Sequence, residues 1–199
     1  MSVKIRLATV EDLGRVQEIY KPYVEETVLN SEYRVPTIEE LRERFDTNTK
    51  DFPWVVCEID GIVVAYAYAS RPFRREGYKW NAELSVYTDS NYHGRRLASA
   101  LYECILEILT LQGYYNAYAC VLSGNDVSKK FHERHGFNVL ATIPHIVNKH
   151  GKWVDLIWMS KTLQEELVSY PDEPLTIGEL DKKVLEDIFL KNKGIIKGI

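Results

Sequence analysis

Glu83-Leu-Ser-Val-Tyr-Thr88 runs directly into Asp89-Ser-Asn-Tyr-His93-Gly94-Arg95-Arg96-Leu97-Ala98, a strand, a short polar loop and a helix entry that carries two arginines. Such a junction leaves several backbone N–H groups without partners, and the helix dipole adds partial positive charge, so it can hold a pyrophosphate. Arg95 and Arg96 would add side-chain charge. The stretch is neither G-x-G-x-x-G nor G-x-x-x-x-G-K-[ST], and a basic helix start is more often merely solvated. His132-Glu-Arg-His135 stands one residue short of the H-E-x-x-H zinc spacing. Its two histidines can share a helix face, but no third ligand is evident, so the expectation is no metal. Tyr114, Tyr115 and Tyr118 would form a stacking platform only with basic residues between them, and read instead as strand packing. Cys57, Cys104 and Cys120 are odd in number, lie in apolar surroundings and lack paired spacing, which reads as three core thiols. His145 and His150 have only strand and turn roles to recommend them.

The elements that must position these groups follow from periodicity. Val3, Ile5 and Leu7 alternate as a strand does, and Thr9 with Asp12 offers a capping-box start for a helix burying Leu13, Val16, Ile19 and Tyr20. Pro22 marks an expected break, because it removes a backbone donor. Thr37 and Glu40 cap a second helix through Leu41 and Phe45. Trp54 to Ile59 and Ile62 to Ala69 are β-rich runs around Asp60-Gly61, a strong hairpin signal. Trp80 to Thr88 is the next strand, and Leu97, Leu101, Ile105, Ile108 and Leu109 recur at helical spacing up to Gly113 as C-cap. Tyr115 to Leu122 is a strand and Asn125 to Arg134 a short helix. Phe137 to Val147 and Trp153 to Met159 are strands around His150-Gly151. The predicted order is βααβββαβαββ over residues 1–163. Residues 164–199 form an extension in which Thr176-Ile-Gly-Glu179 opens one amphipathic helix through Leu180, Val184, Ile188 and Phe189.

At 199 residues, 45% hydrophobic and 27% charged, the chain is large enough to bury a core. A net charge of −4, with Lys and Arg scattered among Asp and Glu, argues against a nucleic-acid binder. The start lacks the apolar stretch of a signal peptide and no run approaches the roughly 18 apolar residues of a membrane span, which implies a cytoplasmic protein without membrane contact.

In conjunction these segments resemble the GNAT superfamily of acetyltransferases. Its loop motif is Arg or Gln, two residues, Gly, one residue, then Gly or Ala. His93, Arg96 and Ala98 fall on those positions, so Ala98 fits while His93 and Arg96 depart from the pattern. Arg96 stands where glycine lets the backbone approach a phosphate closely. Asn125-Asp-Val-Ser128-Lys-Lys-Phe131-His132-Glu-Arg-His-Gly136-Phe137 is similar to the segment after the family's fifth strand. Arg71-Pro-Phe73, Tyr78, Glu83-Leu-Ser85-Val-Tyr87 and Lys149-His-Gly-Lys-Trp153-Val-Asp155 resemble the phosphinothricin and methionine sulfoximine acetyltransferase branch.

The resemblance implies an α/β fold: a mixed, twisted sheet of about seven strands flanked by helices, with two adjacent parallel strands splaying to admit acetyl-CoA. It implies an N-acetyltransferase in which Glu83 accepts the proton of a small amino acid's amine and His132 is a possible proton donor to the leaving thiolate. Val86, Tyr87, Thr88, His93, Gly94, Arg95, Arg96, Leu97, Ala98, Asn125 and Ser128 would contact the cofactor. Arg71 would meet an acceptor carboxylate, with Phe73 and Tyr78 as pocket wall. A homodimer is the family's habit. The alternatives are a non-catalytic CoA-binding sensor, or transfer to a polyamine or a protein N-terminus. Glu83 favours catalysis over the sensor, and Arg71 favours a carboxylate-bearing acceptor over a polyamine.

Overall fold

Alternation at Val3, Ile5 and Leu7 becomes β1 (Val3–Leu7), the edge of a seven-stranded sheet in the computed structural model, which describes residues 1–199. A single 3₁₀ turn leads into α1 (Leu13–Glu25), and α2 (Ile38–Asn48) comes next, with Thr37 and Glu40 bonded reciprocally as its capping box. β2 (Trp54–Ile59) and β3 (Ile62–Ser70) are joined by Asp60 and Gly61 at φ of 50° and 82°, the two left-handed residues that a type I′ hairpin requires. β4 (Asn81–Thr88), α3 (Leu97–Gln112), β5 (Asn116–Leu122), α4 (Asp126–Arg134), β6 (Asn138–Lys149) and β7 (Lys152–Thr162) complete the order. A last helix, α5 (Lys182–Lys193), lies in the extension. No helix is long and apolar enough to cross a membrane.

The sheet runs β1-β2-β3-β4-β5-β7-β6, antiparallel except between β4 and β5. A parallel pair needs a crossover, and α3 supplies it. β4 and β5 pair only through Asn81–Asn116, Ala82–Ala117 and Glu83–Tyr118. Beyond Glu83, β4 keeps its bonds to β3 and β5 keeps its bonds to β7, so the sheet opens into a gap between them.

Each face of the sheet buries a different layer. Leu101, Ile105 and Ile108 of α3 pack on Ala65, Ala67, Ala82, Ala117 and Ala119, whose small side chains allow the helix to approach closely. On the opposite face Leu13, Val16, Ile19 and Tyr20 of α1 and Phe45 of α2 meet Trp54, Val56 and Tyr66.

Three sequence expectations are corrected. α1 continues through Pro22 to Glu25 because Tyr20 and Val24 are both buried against the sheet, and that packing outweighs one missing N–H bond. Thr176 and Glu179 cap only one 3₁₀ turn; α5 starts later, where the Asp181 carboxylate accepts the N–H groups of Lys183 and Val184. The buried side of α5 is Leu185, Ile188 and Asn192, whereas Val184 is exposed.

Asp12 ties α1 to the sheet edge. Its two oxygens accept from both terminal nitrogens of Arg6 at 2.7 Å, and one also takes the Thr9 N–H at 2.7 Å. Burial alone would raise the Asp12 pKa; the bonds from Arg6 and Thr9 outweigh it and hold the carboxyl below its ordinary 3.8. A depressed carboxylate pKa contributes stability that is present above the unfolded value and lost as pH falls. Asp12→Asn is therefore expected to cost about 2 kcal/mol in urea unfolding at pH 7, with the gap to wild type closing as pH falls below about 4.

Candidate active site

The end of β4 is held from α1. Tyr23 Oη donates to the Thr88 carbonyl at 2.7 Å, and the Thr88 N–H reaches back to Tyr23 Oη at 3.4 Å. Arg15 of the same helix pairs with Asp89, whose other oxygen accepts the Asn91 N–H at 2.9 Å. His93 turns back on this frame: its Nε2 lies 3.2 Å from the Thr88 carbonyl and 3.4 Å from Tyr23 Oη, which suits an Nε2–H tautomer. An open row of donors begins at the next residue. None of the backbone N–H groups from Gly94 to Ser99 meets an acceptor within the protein, and the row leads into the 16-residue α3. An anion such as a pyrophosphate fits that donor set.

Arg96 adopts φ 61°, ψ 22°, the left-handed conformation that glycine takes freely. For an arginine this costs roughly 1–2 kcal/mol. The chain thus retains a glycine-like backbone at this position without the glycine. Of the two arginines, Arg95 lies 5.2 Å from the Tyr92 ring, whereas Arg96 is exposed beside the row. Leu97 is buried under the helix start and Ala98 is half-buried.

Across the gap, Asn125 caps α4 by accepting the Ser128 N–H on Oδ1 at 3.0 Å. One turn on, His132 Nδ1 sits 2.8 Å from the Ser128 carbonyl, so Nδ1 carries the hydrogen and Nε2 is an acceptor in the neutral ring. Burial lowers the His132 pKa, partly offset by that backbone bond, and keeps the ring neutral at pH 7. Tyr102, Phe131 and Phe137 enclose it. His135 goes elsewhere, to Glu103 at 2.7 Å and Ser99 Oγ at 3.3 Å. No group of three or more His, Cys, Asp or Glu side chains is placed to share a metal ion.

Glu83 is the last β4 residue paired with β5, and it stands where the gap begins. Residues directly opposite in register share a face, so Ser70, Glu83, Tyr118 and Ser160 project together, as do Tyr68 with Ser85 and Cys120 with Trp158. No lysine or arginine pairs with the Glu83 carboxyl. Burial raises its pKa above the usual 4.5, and the adjacent Cys120 thiol acts in the opposite sense. Desolvation of the sulfur within the cleft, followed by the neighbouring Glu83 charge, pushes the Cys120 thiol up to about 12, although the residue as a whole keeps an exposed side.

Phe73 packs at a tilt against Tyr78, 4.9 Å between ring centres, and meets Trp158 at 5.7 Å and Tyr118 at 6.1 Å, an aromatic wall on the Glu83 face. Arg71 is not part of it. Its guanidinium bonds Asp51 at 3.1 Å and lines a separate polar cavity of about 340 Å³ with Glu76, Lys79 and Tyr114. A second cavity of about 200 Å³ lies on the Glu83 face, bounded by Tyr20, Arg44, Trp54, Tyr66, Tyr68 and Ser70. The Val86 side chain packs into the core and the Tyr87 ring joins Tyr20, Tyr23 and Tyr66, leaving only the Val86 backbone for the gap.

Sequence reasoning missed Cys120, Tyr118 and Trp158 as cleft residues. Cys120 is exposed, which corrects its reading as a core thiol, whereas Cys57 and Cys104 are buried. The available signal was the two-residue period from Ala117, Ala119 and Val121, all buried, which sends Tyr118 and Cys120 to the opposite face.

Comparison with known proteins places this geometry. The acetyltransferase (GNAT) domain matches residues 5–158. A phosphinothricin N-acetyltransferase of Streptomyces viridochromogenes is 29% identical over 87% of this chain and 95% of its own. An L-methionine sulfoximine/L-methionine sulfone acetyltransferase of Pseudomonas aeruginosa is 32% identical over 82% of this chain and 96% of its own. Among solved structures, a GNAT superfamily phosphinothricin acetyltransferase from Sinorhizobium meliloti in complex with acetyl-CoA superposes with a TM-score of 0.82. It has 29% identity and covers 90% of this chain and 98% of that one. The mostly antiparallel sheet, opened between its one parallel pair and flanked by five helices, is the fold of that structure. The chain belongs to the GNAT family and is an N-acetyltransferase.

Proposed function

We propose that this enzyme transfers the acetyl group of acetyl-CoA to the amine of a small amino acid or analogue of the phosphinothricin or methionine sulfoximine type. The observation that carries the reading is Glu83: a half-buried carboxyl of raised pKa, without a cationic partner, at the point where β4 and β5 part. An amine is protonated at neutral pH and must lose a proton before it can attack a thioester, and a carboxylate with a raised pKa is the stronger acceptor. Acetyl-CoA would lie with its pyrophosphate on the N–H groups from Gly94 to Ser99, its pantetheine arm passing Asn125 and Ser128.

In the transfer, the amine nitrogen bonds the acetyl carbon, the carbon–sulfur bond breaks, and the amine proton passes to Glu83 directly or through water. The Val86 backbone N–H would face the developing oxyanion, because the Tyr87 N–H is turned towards β3 and the Thr88 N–H is shared with Tyr23. The leaving thiolate takes its proton from solvent. His132 presents an unprotonated Nε2 and would donate only after gaining a proton that burial disfavours. Phe73 and Tyr78 wall the acceptor, and Arg71 would bind its carboxylate only by leaving Asp51 and the separate polar cavity it lines.

Thiol release from acetyl-CoA over a panel of methionine sulfoximine, methionine sulfone, phosphinothricin, common amino acids and polyamines tests the reading. Turnover is expected with the amino-acid analogues and not with polyamines. Acetyl-CoA binding without turnover on any amine would leave a cofactor-binding domain in place of the enzyme.

A further inference from the structure

Residues beyond the matched domain run back along α3 from its last turn to its first. The Leu175 N–H donates to the Gln112 carbonyl at 2.8 Å, and Gln112 Nε2 donates to the Leu175 carbonyl at 2.6 Å. α5 then lays Leu185 and Ile188 into the main core, with Asn192 Nδ2 and Lys191 Nζ on the two Glu107 oxygens at 2.9 and 3.0 Å. Ile195 and Ile196 pack on the same core, and the Lys197 backbone N–H donates to the Arg95 carbonyl at 3.0 Å. The tail therefore reaches the phosphate loop itself.

That bond fixes more than one atom. In a planar trans peptide the carbonyl and the following N–H point in opposite directions, so holding the Arg95 carbonyl outward aims the Arg96 N–H the other way. This N–H is in the unpartnered row, and it belongs to the residue held in a left-handed conformation without being glycine. An arginine there has a standing preference to rotate away, and the anchored carbonyl opposes that rotation.

We propose that the C-terminal tail is a clamp on the cofactor loop, with the Lys197 backbone N–H as the positioning group that turns the Arg96 N–H towards the pyrophosphate of acetyl-CoA. The proposal rests on the reading of the Gly94–Ser99 row as the phosphate site. It assigns residues 164–199 a part in cofactor affinity. The acceptor site is untouched, so the two substrates should respond differently.

The test compares Lys197→Pro, which removes the donor, with Lys197→Ala, which keeps it, and with a chain ending at Ile196, which keeps the Ile195 and Ile196 packing. CoA binding is measured by calorimetry and both KM values by steady-state kinetics, with thermal melting run alongside. Lys197→Pro and the shortened chain are expected to bind CoA about tenfold more weakly and to raise KM for acetyl-CoA to match, with acceptor KM, kcat and Tm unchanged. Lys197→Ala should behave as wild type. Wild-type CoA affinity in the Pro variant and the shortened chain would overturn the clamp alone. Absence of CoA binding by the wild-type protein would overturn the phosphate-loop reading and the clamp with it.

Discussion

Replacing Glu83 by glutamine is expected to lower kcat/KM for the acceptor by about 10²–10⁴-fold while leaving CoA affinity unchanged. Glutamine keeps the shape of the side chain and removes its ability to accept a proton, so the loss should fall on the chemical step. In the wild type, the rate should rise with pH through the Glu83 pKa, which burial places above 4.5, and the variant should lack that limb. Stability should move in the opposite direction from activity. A carboxyl whose folded pKa is raised holds its proton more tightly when folded, so its ionisation opposes folding as pH rises from 4.5 through the folded value. Glutamine is neutral throughout, and the variant should melt higher than wild type at pH 7. A variant that keeps wild-type kcat/KM would remove Glu83 as the base, and one that melts lower would show that its burial is already compensated.

The parts of the fold that periodicity and turn chemistry control were legible in the residues. Asp60-Gly61 makes its hairpin because both residues take positive φ, and α3 ends at Gly113 because the left-handed cap there frees the chain to start β5. Local pattern did not reveal which edges pair. The placement of β7 between β5 and β6, and the parting of β4 from β5 after three residues, depend on long-range contacts that no window of sequence contains. Pro22 shows the same limit from another side: the helix survives because Tyr20 and Val24 are buried by a sheet that comes later in the chain.

The candidate site divides along the same line. Glu83, the loop from His93 to Ala98, and Asn125 with Ser128 were legible because one segment carries each of them. Their proximity depends on the β4–β5 gap. Arg71 could be read as a cation near the cleft, but its attachment to Asp51 depends on the end of α2 and could not. The αL backbone at Arg96 had no signal in composition, since arginine rarely adopts it; only a glycine at that position would have announced it.

Cys120→Phe is expected to lower kcat/KM for the acceptor by about 10²-fold and to leave CoA binding intact. Cys120 lies on β5 two residues past Tyr118, opposite Trp158 on β7, and on the face that Glu83 shares. A phenyl ring there fills the floor between the carboxylate and the aromatic wall of Phe73 and Tyr78, so the amine can no longer reach both Glu83 and the thioester. The side of the sheet facing α3 would be unchanged, because Ala117, Ala119 and Val121 alternate with Cys120 and it is they that touch that core. The smaller change Cys120→Ala tests the electrostatics without the volume. The thiol lowers the Glu83 pKa against the larger effect of burial, so its removal should move the acid limb of the pH–rate profile upwards. With its own pKa pushed to about 12, the thiol remains protonated at pH 7, and iodoacetamide should inactivate the enzyme slowly despite the exposure of the residue. Rapid alkylation at pH 7, or acceptor kinetics in Cys120→Phe equal to wild type, would place the acceptor on a different part of the sheet face, towards the cavity between Arg44 and Tyr68.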